Sequence, residues 1–338
     1  MTALRSFVLS LFCLFALAPA WSDEPHPKVV EIQRGLEARL MHGAYAELDQ
    51  IADDYRARQS RKEGGYWALA WEYDVLSRIA EGGCTCGPKT TDIGFDAKRE
   101  KIESWLKANP DSLTAKVALA KLWLNYAWVG RGGDSAQKTS QAQFAAYFER
   151  AARAMALLKP LDANLDPEIY ELELQATPTM PNPRESLIAT YERAARAFPA
   201  FPDYAPIKFN YLLERWYGGP GEAQAFTRSL LAAPDKDGGL SAYFAVASGA
   251  LVTFGGGPST FETAGLDYAT LVKAFASRTA LFGAGKYEMN VLMAYAVAAR
   301  DKKTTAFLAD RIGPDWYASV WSQKSYFDDA VAWSQRWL

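Results

Sequence analysis

Apolar residues recur along this chain at i, i+3, i+4 and i+7, the stripe that one buried face of an α-helix requires. The pattern runs through 29–41, 45–58, 66–80, 95–108, 113–129, 141–158, 167–176 and 185–198. It continues through 204–216, 223–232, 241–254, 268–282, 286–299, 304–312 and 326–337. Strand-type alternation is nearly absent, so an all-α fold is predicted. One stripe repeats almost verbatim: Phe148-Glu149-Arg150-Ala151-Ala152-Arg153-Ala154 returns 43 residues later as Tyr191-Glu192-Arg193-Ala194-Ala195-Arg196-Ala197. An aromatic followed by small residues, with Pro160 or Pro199 soon after, is how stacked helix pairs are written.

The breaks between stripes are chemically explicit. Asn109-Pro110-Asp111-Ser112 ends one helix and offers a side-chain oxygen to cap the next. Gly132-Gly133, Gly218-Gly219-Pro220 and Gly255-Gly256-Gly257-Pro258 are further stops, and Ser259 with Glu262 is spaced as a capping box. The last stripe places Tyr326, Ala330, Trp333 and Trp337 on one face, as a helix closing the end of an array would.

The first residues read as a secretory signal peptide, 1–20. Arg5 supplies the charged start, 7–17 the apolar stretch and Ala18-Pro19-Ala20 the cleavage site, with cutting after Ala20 or Ser22. The apolar run is shorter than a membrane span needs, and no integral span is expected in the mature chain, which is predicted to be exported, periplasmic or secreted. Even after cleavage, a chain of 338 residues exceeds the roughly 250–300 at which one compact core divides. A net charge of −2 gives no electrostatic case for nucleic acid. Aromatics at 13%, including 11 Trp, imply either thick helix–helix seams or an aromatic-lined groove.

The segment from Trp105 to Tyr126, with Pro110 at the turn and Ala115, Ala118 and Leu122 on the packing face, resembles tetratricopeptide-type repeats. More broadly, the chain is similar to an often exported bacterial family known only as a domain of unknown function. Tyr45-Ala46-Glu47-Leu48-Asp49, Gly65-Tyr66-Trp67, Trp105 with Pro110 and Ser112, Tyr126-Ala127-Trp128 with Arg131-Gly132, and Arg215-Trp216-Tyr217-Gly218-Gly219 carry that similarity. The resemblance implies a helical-repeat solenoid of irregular antiparallel helix pairs over residues 28–235. It brings no activity, and 236–338 is expected as a helical extension closing the array.

Candidate chemistry is sparse. Cys84 and Cys86 lie between Gly82-Gly83 and Gly87-Pro88 in a chain whose other cysteine is in the signal segment. They form a tight loop disulfide, remain as inert thiols, or handle redox exchange or a soft metal. His26 and His42 are the only histidines, so hydrolytic triads and paired-histidine metal sites lack support. Gly283-Ala284-Gly285-Lys286 lacks the hydroxyl and first glycine of a phosphate loop. Acidic pairs such as Asp53-Asp54, Glu171/Glu173 and Asp328-Asp329 point different ways on a helix and do not form an acid–base pair by themselves. No cofactor or metal is implied.

Two groups couple arginine to aromatics at helix ends: Trp123, Tyr126, Trp128 and Arg131, and Arg215, Trp216 and Tyr217. Such groups lock successive helix pairs together, or they bind a partner through cation–π and hydrogen-bond contacts. The expected function is a non-catalytic scaffold for an envelope protein or peptide. The rivals are a carboxylate-dependent enzyme acting on a glycan, and thiol or metal handling at the cysteines.

Overall fold

The computed structural model describes residues 27–79, 91–132, 137–233 and 238–336. Cys84, Cys86, Trp337 and the signal segment lie outside these residues. The described chain is all-α. The first half holds α1 (Pro27–His42), α2 (Tyr45–Arg58), α3 (Ala68–Ser77), α4 (Thr91–Ala108), α5 (Leu113–Arg131), α6 (Gln141–Leu158) and α7 (Pro167–Gln175). Then come α8 (Pro183–Ala197), α9 (Tyr204–Tyr211), α10 (Glu222–Ser229), α11 (Gly239–Phe254) and α12 (Ser259–Ala264). The last are α13 (Tyr268–Phe282), α14 (Lys286–Ala298), α15 (Lys302–Ile312), α16 (Ala318–Trp321) and α17 (Lys324–Gln335). Among the described residues the only β pairing is an isolated bridge between Arg61 and Trp67.

Neighbours in sequence pack together, with α5 against α6 and α14 against α15. Alternate helices also touch: α1 meets α3, α3 meets α5, α5 meets α7, α7 meets α9, α9 meets α11 and α11 meets α13. The two copies of the repeated heptapeptide fall on α6 and α8. Ala151 and Ala194, at matching positions, are both fully buried, because only a small side chain lets a neighbouring backbone approach there.

Two apolar cores result. The first draws on α1 to α7, with Leu40, Leu48, Trp105, Leu122 and Tyr147 among its members. The second draws on α8 to α17 and takes in Tyr211, Phe244, Val291 and Tyr295. They meet at α3 and α7. Ile169 and Leu172 of α7 join the first core, while Tyr170 and Leu174 join the second. The seam therefore lies at these two helices, and residues 201–230 share a core with the C-terminal helices.

Several motifs singled out in the sequence are structural clasps. Trp105 stacks on Tyr45 with ring centroids 5.7 Å apart. Its Nε1 donates to Asp49, as do Asn109 Nδ2 and the Ser112 hydroxyl. Ser112 also accepts from Ala115 N at 2.9 Å and so caps α5 as expected. The Gly64-Gly65 segment runs back against α13 and α14. Arg278 donates to Gly64 O, and a Cβ on Gly64, whose φ is +80°, would land 2.2 Å from the Glu288 carboxylate.

Two local expectations are corrected. Ser259 and Glu262 make no capping box: α12 begins after Pro258 without a side-chain cap. The capping box that does form joins Ser140 and Gln143 at the start of α6. The closing helix turns Phe327, Ala330 and Ser334 inward, leaving Tyr326 55% exposed, so its buried face is one position round from the predicted one.

Candidate functional site

The apolar stripe at 204–216 predicts helix through Trp216, yet α9 stops at Tyr211. The chain then folds back on itself: Trp216 N donates to Leu213 O at 2.8 Å and Tyr217 N to Tyr211 O at 3.0 Å. Gly218 permits this return, since a Cβ there would sit 1.8 Å from Leu212 O. Arg184 of α8 clamps the turn from outside, donating to Tyr217 O and to both oxygens of Glu222 at 2.6–2.8 Å. Glu222 in turn accepts from Gly219 N at 2.8 Å.

On the facing side, α5 ends at Arg131, with Gly132 at φ +77° turning its N–H onto the Trp128 and Val129 carbonyls. Gln143 ties the start of α6 to this end by donating to Arg131 O at 3.2 Å. Tyr147 then packs under Trp128 with centroids 4.8 Å apart.

These elements bring the two sequence-predicted groups into one junction. The Arg131 guanidinium carbon lies 5.6 Å from the Trp128 ring and 5.9 Å from the Trp216 ring, within cation–π range of both indoles. Trp216 meets Tyr211 edge-on at 5.3 Å and Tyr217 tilts over the same ring at 5.7 Å. Burial pushes the Tyr147 phenol up, with Tyr217 adding to the rise and Arg131 opposing it. The Tyr211 phenol rises for the same reason, with Tyr147 and Tyr217 adding and Arg131 opposing. Tyr211 donates to Gln175 O at 3.0 Å, whereas Tyr147 Oη and Trp216 Nε1 are enclosed with no hydrogen-bond partner among the described residues.

The other predicted residues go elsewhere. Trp123 and Tyr126 face Phe95 of α4 at 4.7 and 3.9 Å. Arg153 covers Trp123 at 4.7 Å and Arg150 covers Tyr126 at 3.4 Å, while Tyr126 Oη donates to Asp92 at 2.6 Å. This packing joins α4, α5 and α6. Arg215 turns away from Trp216, donating to Asn210 Oδ1 at 3.0 Å and lying 5.7 Å from the Phe254 ring. It lines a cleft of ≈ 210 Å³ with Leu212, Leu213, Glu214, Ala223 and Phe254.

A second cluster had no local signal in the sequence. At the seam between the cores, Arg56 donates to Asp166 at 2.8 Å, to Tyr73 Oη at 2.9 Å and to Thr114 Oγ1 at 2.8 Å. Tyr73 Oη in turn donates to Asp166 at 2.6 Å. Lys121 sits between Asp74 at 2.5 Å and Glu168 at 2.7 Å. Burial pulls Lys121 down, but the two carboxylates together hold it well above its ordinary value. Burial also pushes Glu168 and Glu171 up. Glu72 is fully buried with neither carboxylate oxygen hydrogen-bonded; burial raises it to about 8, against the pull of Arg56. Under Arg278, Glu288 is raised by burial to about 7.

Of the acidic pairs noted in the sequence, Asp53 and Asp54 pair with Arg56 and Arg58, Glu173 pairs with Arg193 and Asp328 pairs with Lys324. His42 is exposed at the end of α1. Among the described residues no group of acidic, histidine or cysteine side chains is arranged to hold a metal, and no helix is long and apolar enough to cross a membrane. No family model, curated protein or solved structure matches this chain.

Proposed function

We propose that the chain is an exported, tetratricopeptide-like helical-repeat protein that binds a protein or peptide partner in the cell envelope without catalysing a reaction. The observation that carries this reading is the placement of Arg131 between Trp128 and Trp216, contributed by segments far apart in sequence. Indole, phenol and guanidinium groups offer large contact area with few rotamers to freeze, which is why such residues dominate interface energetics. Stacked helix pairs supply a rigid frame for that surface. Mild crosslinking of the mature protein in its native envelope tests the proposal. A partner captured at near-stoichiometric yield, and lost with Arg131→Ala or Trp216→Ala while circular dichroism and melting are retained, supports it. Capture that ignores both substitutions, or captures nothing, overturns it.

A second reading, a carboxylate-dependent enzyme acting on a glycan, draws support from one observation. Glu72, raised by burial to about 8, lies in the same interior as Asp166, which is ion-paired to Arg56, and glycosidases use two carboxyl groups as acid and base. Hydrolysis of envelope glycan by the native chain, abolished in Glu72→Gln, would favour it over the scaffold. Thiol or metal handling at Cys84 and Cys86 predicts loss of function in the double serine variant.

A further inference from the structure

The helices at which the two apolar cores meet carry more carboxyl groups than the cations touching them can neutralise. Arg56 takes Asp166 at the head of α7, and Lys121 takes Asp74 of α3 and Glu168 of α7. Glu72 of α3 is fully buried, and among the described residues neither of its carboxylate oxygens has a partner. Glu168 is equally buried and has its second oxygen unpartnered. Glu171, one turn further along the same face of α7, is 6% exposed and accepts from Gln175 Nε2 at 2.9 Å rather than from a cation.

Every cation around these groups is already engaged. Facing Glu72 are Asp49, Tyr55 and Arg56 of α2, together with Lys62 and Asp166. Lys62 lies over the Tyr55 and Trp71 rings at 5.3 and 5.1 Å. Facing Glu168 and Glu171 are Lys121 of α5, Asp74 of α3, and Asp203 and Tyr204 at the start of α9. Of the other helices packed on α3 and α7, α4 directs Lys98 to Val75 O and to Glu37 of α1. The α6 arginines Arg150 and Arg153 cover Tyr126 and Trp123, and Arg193 of α8 pairs with Glu173.

A carboxylate with no cation or donor to meet it is strongly disfavoured away from water, so such a group keeps its proton until water can reach it. Burial accordingly raises Glu72 to about 8, against the pull of Arg56. It pushes Glu171 well above the usual carboxyl range, with Glu168 adding to the rise. Ionising these two groups therefore requires a local opening that lets water in along α7. We propose that α7 is a proton-held latch between the two cores, closed while Glu72 and Glu171 are protonated and released, with both cores still folded, when they ionise. The sign follows from tighter proton binding in the closed state, which is favoured at low pH and loses ground as pH rises. At its far end α7 accepts the Tyr211 hydroxyl on Gln175 O, so the helix released by the latch also braces the junction of Arg131 and Trp216.

The mature chain is compared at about pH 6 and about pH 9 by hydrogen exchange with mass spectrometry, corrected for the intrinsic pH dependence of amide exchange. Circular dichroism at both values checks that helicity is kept. Protection of α7 should fall by roughly tenfold for each pH unit beyond the point at which a latch carboxyl ionises, while α5 and α14 keep theirs. Glu72→Gln/Glu171→Gln, which holds both groups in a neutral form of the same shape, should keep α7 protected at the higher pH. Glu171→Gln alone, the milder change, should retain part of that protection. Unchanged α7 protection in the native chain overturns the latch. So does a loss shared equally by α5, α7 and α14, which reports unfolding of the whole chain, or a loss of the same size in both variants.

Discussion

Two arginines, Arg56 at the seam and Arg131 at the junction, are held by different kinds of contact. At the seam, each nitrogen of Arg56 donates: Nε to Asp166, Nη1 to Asp53, Nη2 to Tyr73 and Thr114. Tyr73 closes the circuit by donating to Asp166. At the junction, Arg131 lies against two indole faces and donates to Gly132 O at 3.1 Å, while among the described residues the Tyr147 hydroxyl and Trp216 N–H have no hydrogen-bond partner. A buried polar network is rigid and specifying when every member is satisfied and costly when it is not. The seam joins the two cores through satisfied polar contacts, whereas the junction is built mainly on ring faces.

Breaking the closed network should give the largest effect. Asp166→Ala leaves Arg56 and Tyr73 enclosed without their acceptor, and a loss of about 3–5 kcal/mol is expected, read from denaturant unfolding. Should this variant melt like the native chain, the distinction between the two regions fails.

Next in size is a pH dependence set by buried carboxyls, chiefly Glu72 at the seam. Burial raises the Glu72 carboxyl from 4.5 to about 8, so the folded state binds its proton more tightly than the unfolded state does. Its contribution is fully present below the unfolded value and is lost as pH rises toward 8, at up to about 1.4 kcal/mol per pH unit. Glu288, raised to about 7 by burial, acts in the same direction. Unfolding measured from pH 5 to 9 should show stability falling with pH, and Glu72→Gln should flatten that slope. A slope unchanged by the substitution would mean that Glu72 does not titrate in this window.

The smallest effect on stability belongs to the junction. Arg131→Ala should shift unfolding by less than about 1 kcal/mol, because its guanidinium lies over ring faces at a half-exposed site. A loss as large as that of Asp166→Ala would make the junction another structural lock.

How much of this could be read from sequence depended on the range of the interactions involved. Helices were legible because their stripes are local, and Ser112 was legible as a cap because its acceptor role spans one turn. The end of α9 was not legible, since Leu212, Leu213 and Trp216 continue the stripe while the return of Gly218 against Leu212 O ends the helix. The seam was hidden for a related reason. Glu72, Lys121 and Glu168 lie inside apolar stripes, and nothing in the local pattern says that Lys121 will face Asp74 and Glu168. Arg131 and Trp216 were each legible as candidates, but their meeting is purely tertiary. Trp123 and Tyr126 shared a helix with Arg131 and yet face Phe95 instead, because a few positions along a helix rotate a side chain onto another face.

The contact between Arg278 and the Gly64 carbonyl spans 214 positions. As the chain emerges from the ribosome, α1 to α7 can collapse on their own apolar core, but Gly64 meets Arg278 and Glu288 only once α13 and α14 exist. Contacts this distant in sequence cost more loop-closure entropy than the local ones that dominate a helical fold. A glycine pair near the start of the chain is thus completed by an arginine near its end.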